Sequence, residues 1–131
     1  MDNREAENSE SCRIFRRLQD VVEVIKERNS ILAADSILNE VARKYDQYPD
    51  LDSMKAAIIR LLDSGEHSGV IESLQYLGWR FRWQWLREEF ESRRLEWSRS
   101  GDLRKVRAYE LILEAFDGDW EDRDCFPSLS L

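Results

Sequence analysis

Four aromatic side chains fall at alternate positions in "GWRFRWQWLREEF", residues 78–90: Trp79, Phe81, Trp83 and Trp85, with Arg80, Arg82 and Gln84 between them. These residue types do binding chemistry rather than bond-breaking. Indole rings fill apolar pockets or stack on bases, and guanidinium groups offer planar charged donors to carboxylates and phosphates. Two uses compete. Trp79, Phe81, Arg82, Trp83, Trp85, Arg87 and Trp97 form a candidate protein-binding surface, because Trp and Arg are enriched at interface hot spots. Arg80, Arg93, Arg94, Arg99, Arg104, Lys105 and Arg107 form a candidate phosphate-contacting set for RNA or DNA. Against both stands plain packing. Aromatics at helical spacing are commonly core, and Arg87 with Glu91 and Glu89 with Arg93 are spaced as surface ion pairs.

The rest of the chain offers little to a reaction. His67, the single histidine, sits in the turn "DSGEHSG" beside Glu66, with no partner group at motif spacing. Ser64-Gly65 and Ser68-Gly69 do not form a nucleophile elbow, and the phosphate-loop pattern is absent. Glu88 and Glu89 are adjacent, so on a helix they point about 100° apart rather than converging on a metal. Asp117, Asp119, Glu121, Asp122 and Asp124 match a calcium loop in charge but not in spacing. Cys12 and Cys125 lie near opposite ends and match no zinc or disulfide framework. No catalytic residue, metal ligand or cofactor is assigned, and the chain is expected not to be an enzyme.

Charge is unevenly distributed along the 131 residues, whose net charge is −7. Residues 79–107 carry nine basic and five acidic groups, while residues 108–131 carry one and seven. A basic segment therefore runs directly into an acidic one, in which Phe116, Trp120 and Phe126 are interleaved. Acidic-aromatic segments can dock on a basic groove, either of a partner or of their own chain. No apolar run of 18 residues occurs, and the opening "MDNREAENSESC" has no signal-peptide pattern. The expectation is an intracellular protein, cytoplasmic or nuclear, neither secreted nor bound to a membrane.

These residues must be positioned by helices. Only two prolines and five glycines interrupt the chain, leaving long segments with helical periodicity. Ile14, Leu18, Val21, Val22 and Ile25 share one face, and Asn29-Ser30 is placed to end one helix and cap the next. Ala34, Ile37, Leu38, Val41 and Tyr45 mark a second helix over residues 31–46, broken by "YDQYPD". Asp50 caps a third, with Leu51, Met54, Ile58, Leu61 and Leu62 inward. Val70, Ile71, Leu74 and Leu77 mark a short fourth, with Gly78 as its stop or kink. Alternation from Trp79 to Trp85 suits a strand, but it dies in "LREEFESRRLEW". The spacing of Trp79, Trp83, Leu86, Phe90 and Trp97 instead predicts one helix over residues 79–99, with Phe81, Trp85 and Leu95 on a second stripe. Leu103, Val106, Tyr109 or Glu110, and Leu113 share one face of a last helix over residues 102–116, which Ile112 and Phe116 extend.

The reading is an all-α compact bundle of about five or six helices joined by short turns, with an acidic irregular C-terminal tail. Residues 1–12 form a flexible start, residues 13–116 a single helical domain and residues 117–131 the tail. The expected function is a regulatory or accessory interaction module that contacts a protein partner through its Trp/Arg helix, with self-association as a further expectation. The alternative is an RNA- or DNA-binding regulator whose arginines are masked by the tail.

Overall fold

The computed structural model describes residues 9–65, 68–117 and 120–130; His67, Glu66 and Asp119 lie outside the described residues. Six helices follow in chain order: α1 (Glu10–Arg28), α2 (Ile31–Gln47), α3 (Leu51–Asp63), α4 (Ser68–Phe81), α5 (Gln84–Ser100) and α6 (Leu103–Glu114). Two short 3₁₀ turns, Glu121–Cys125 and Pro127–Ser130, follow them, and no strand occurs among the described residues. The all-α bundle expected from periodicity is the fold.

Local chemistry sets the boundaries. Ser30 and Asp50 cap α2 and α3 by accepting the amide protons of Ala33 and Ser53 at 3.2 and 3.1 Å, which satisfies donors that a helix start leaves free. Ser9 does the same for α1, from Cys12 at 3.3 Å, so that helix begins slightly before the expected start. Asn29 ends α1 in the left-handed region at φ 49°, a conformation Asn tolerates well, and Asp102 caps α6.

The α1 helix is the central strut: α2, α3 and α4 all pack against it, while α4 also packs on α6, and α6 on α5. Leu18 and Val21 of α1, Leu38 of α2, and Met54, Ile58, Leu61 and Leu62 of α3 are buried in one continuous core. Close approach of α1 and α4 depends on Gly69. A Cβ there would lie 2.9 Å from the Cα of Val22, against backbone that cannot swing away. Gly69→Ala is therefore expected to destabilise the fold by roughly 1–2 kcal/mol, overpacking outweighing a helix-propensity gain of up to about 1 kcal/mol. Thermal unfolding of the variant checks this; a melt at or above the parent's would show that α1 and α4 have room to separate.

Three expectations are corrected. The segment from Trp79 to Trp97 is not one helix. Its first three residues end α4, Arg82 adopts φ 51°, and α5 starts after Trp83, which has no side-chain cap. A straight helix spreads alternate residues around its circumference; the reversal at Arg82 instead gathers Phe81, Trp83 and Trp85 into one stack. Gly78 is no stop, since α4 runs through it; the ring of Phe116 occupies the space its side chain would need, with Cε2 2.8 Å from a built Cβ. Leu103 also departs from the reading: it is 76% exposed rather than inward.

Over its described part the acidic tail consists of the two short 3₁₀ turns, and it packs on the bundle. Trp120 and Phe126 are buried. Phe126 meets Tyr76 edge-on at 5.5 Å, and Trp120 lies 6.3 Å from Trp79. The carboxylate of Asp35, on α2, accepts the Ser128 amide proton at 3.2 and 3.3 Å and the Ser128 hydroxyl proton at 2.6 Å. The Tyr76 hydroxyl is 2.6 Å from the same Ser128 oxygen and donates to it, because the serine's one proton is committed to Asp35. Burial pushes the Tyr76 hydroxyl above its usual pKa. The folded state thus resists deprotonation, and its stability is complete below the unfolded value of about 10 and falls as pH rises above it. Comparing alkaline melts of the parent and Tyr76→Phe should show a shallower loss in the variant; parallel curves would remove Tyr76 as a contributor.

Candidate interaction surface

The aromatic segment builds an internal cluster. Phe81 and Trp83 stack with ring centres 4.4 Å apart and planes 7° from parallel, Trp85 extends the stack at 5.7 Å, and Tyr45 of α2 meets Phe81 and Trp83 edge-on. All are half-buried and packed against the core. Cations of the same chain cover much of what remains. Arg82 and Arg123 lie over Trp79 at 4.2 and 4.7 Å, Lys55 over Trp85 at 5.0 Å and Lys105 over Trp97 at 3.7 Å. Such contacts are each worth about 0.5–1 kcal/mol at exposed sites. Ring faces engaged this way are poorly placed to stack on bases.

Four of the nine singled-out basic residues are ion-paired among the described residues. Arg80 bonds Asp46, Arg107 lies 3.2 Å from Glu110, and Arg87 lies 3.2 Å from Glu91 and 3.5 Å from Asp117. Arg93 reaches Glu89 at 2.9 Å and Asp63 at 3.1 Å, tying α5 to the end of α3. Burial would lower the Arg93 pKa, but hydrogen bonds to Glu89, Tyr109 and Asp63 outweigh it and hold the guanidinium charged. Arg94, Arg99 and Arg104 form no ion pair among the described residues.

Arg99 and Arg104 flank the turn from α5 into α6, and Arg94 lies about one and a half helical turns earlier on α5. Gly101, at φ 82°, makes the reversal that L side chains resist. On the far half of α5, Arg93, Arg94 and Trp97 are half-buried and the other residues from 92 to 100 are exposed, Leu95 at 47%; Leu103 opens α6 across the turn at 76%. Residues 93–107 carry six basic and two acidic side chains. The hairpin end is thus cationic, with two bare leucines among its arginines and Trp97 half-buried beneath Lys105.

The other expected contacts lie apart from it. Trp79, Phe81, Trp83 and Trp85 belong to the internal cluster, at the opposite end of α5 from Trp97. Phe116 packs on Phe90 at 6.0 Å, and Trp120 and Phe126 dock on α4. Leu95, on the second stripe of the sequence reading, and Leu103, on the apolar face expected of the last helix, are both exposed. A separate groove of about 350 Å³ lies between α1 and α2, floored by Ile14, Val41 and Tyr45. Several of its charges are engaged with each other, Arg17 with Glu40 at 2.7 Å and Lys44 with Glu10 at 3.3 Å.

Among the described residues no three His, Cys, Asp or Glu side chains gather as a metal site, and no helix is long and apolar enough to cross a membrane. Compared with known proteins, the chain matches no family model, no curated protein and no solved structure.

Proposed function

We propose that this chain is a non-enzymatic interaction module that binds an acidic, partly apolar face of a protein partner through the α5–α6 hairpin end. The observation that carries the reading is the conjunction of Arg94, Arg99 and Arg104, free of ion pairs among the described residues, with the exposed Leu95 and Leu103. Exposed arginine beside exposed leucine suits a partner that offers both carboxylates and apolar contact. A polyanion alone would leave the leucines in water. The engaged faces of Trp79, Trp85 and Trp97 also argue against base stacking, and a net charge of −7 opposes general attraction to nucleic acid.

The test is a photo-crosslinking residue at position 103, expressed in native cells, with position 32 as control because Leu32 is equally bare on another helix. Protein adducts at position 103 but not 32, lost in Arg94→Glu/Arg99→Glu/Arg104→Glu, are expected. Adducts to RNA or DNA would transfer the hairpin to the nucleic-acid reading. Equal adducts at both positions would remove the site.

A further inference from the structure

Residues 120–130 sit on the bundle as a bound peptide does. Their described backbone–backbone hydrogen bonds are local, from Arg123 to Trp120, Phe126 to Arg123 and Leu129 to Phe126. The segment is fastened by side chains: two buried rings six positions apart, Trp120 and Phe126, and the Ser128 hydroxyl and amide on one carboxylate. The receiving surface is equally defined. Asp35 is only 7% exposed and spends both carboxylate oxygens on Ser128, while Tyr76 and Trp79 supply the ring contacts. Arg123 closes over Trp79 from outside. Glu121, Asp122 and Asp124 stay exposed and make no ion pair to the bundle among the described residues. A buried acceptor matched to one serine, between aromatic walls, is a peptide-recognition geometry.

We propose that the groove formed by Asp35, Tyr76 and Trp79 takes residues 120–130 of a second copy of this chain as well as its own, so that copies join by exchanging tails. The occupant follows from the contacts: the same Trp120, Phe126 and Ser128 fit the groove whichever copy supplies them. Covalent attachment gives the chain's own tail a large advantage, equivalent to an effective concentration of order millimolar. Isolated copies are therefore closed, and association is released when the intramolecular contact is weakened. This surface is distinct from the hairpin end and does not depend on its partner.

Two full-length variants separate groove from tail. Asp35→Ala has an intact tail and a broken groove. Ser128→Asp has an intact groove and a tail repelled by Asp35. Analytical ultracentrifugation should find each alone as a monomer and an equimolar mixture as a one-to-one dimer. A labelled peptide of residues 118–131 should also bind Ser128→Asp at least about tenfold more tightly than the parent, whose tail competes, and should not bind an Asp35→Ala/Ser128→Asp chain. A mixture that stays monomeric, with both chains helical by circular dichroism and no gain in peptide binding, overturns the proposal. Asp35→Asn and Phe126→Ala replace the pair if either variant loses its helical signal, with the same two outcomes decisive.

Discussion

Ile58→Asp is expected to leave the chain without a cooperative thermal transition. Ile58 has no exposed surface and lies on the α3 face that packs on α1, with Met54, Leu61 and Leu62 on the same stripe. Aspartate at that position loses the apolar burial and places an unpaired carboxylate where the buried neighbours are hydrocarbon. Removing a buried isoleucine side chain costs about 2–5 kcal/mol, and burying a polar group without a partner adds about 1–3 kcal/mol, more for a charge. A domain of this size holds a total of about 5–15 kcal/mol. The same substitution at Ile59, one position round the helix and half-buried at the core's edge, should be tolerated far better. Far-ultraviolet circular dichroism on heating distinguishes the two. An Ile58→Asp chain that melts like the parent would mean that α3 is turned the other way.

How far the sequence carries can be read from where it fails. The six helices were legible because each announces itself locally, with Ser30 and Asp50 capping as expected and Arg87–Glu91 and Arg93–Glu89 pairing at the expected spacing. What was illegible depends on distant parts of the chain. The break at Arg82 is rewarded by Tyr45, on another helix, which receives Phe81 and Trp83 edge-on. Local spacing could not count that contact, so it favoured a continuous helix. The tail's order rests on Asp35, 93 positions from Ser128. Docking of Trp120 and Phe126 on their own chain was one of the expected placements, but the receiving groups, Asp35 on α2 and Tyr76 and Trp79 on α4, were not legible locally. Leu103 has the spacing of a core residue, but it opens the first turn of α6 and is left exposed there. In each case the periodicity was real and the neighbour decided its use.

Phe90→Ala is the second substitution with a large expected effect, and it joins fold to proposed function. Phe90 is fully buried at the root of the α5–α6 hairpin, its ring 6.2 Å from that of Tyr109 and 6.0 Å from that of Phe116. Of the α5 residues beyond it, none is buried, so Phe90 is the last core anchor before the exposed cationic end. Truncating a buried phenylalanine costs about 3–5 kcal/mol, of which the cavity left between α5, α6 and the Phe116 ring is one part. The melting temperature should fall by roughly 10 °C or more, and amide exchange should accelerate along α5 and α6 before α1. Leu103→Ala should leave both measurements within error of the parent, since the residue makes its surface without supporting the core. If hairpin binding is then lost in Leu103→Ala at unchanged stability, and in Phe90→Ala together with protection of α5, the arginines act from a rigid platform. Equal protection in Phe90→Ala and the parent would mean that Leu86 and the Arg93 pairs with Asp63 and Glu89 suffice to hold the hairpin.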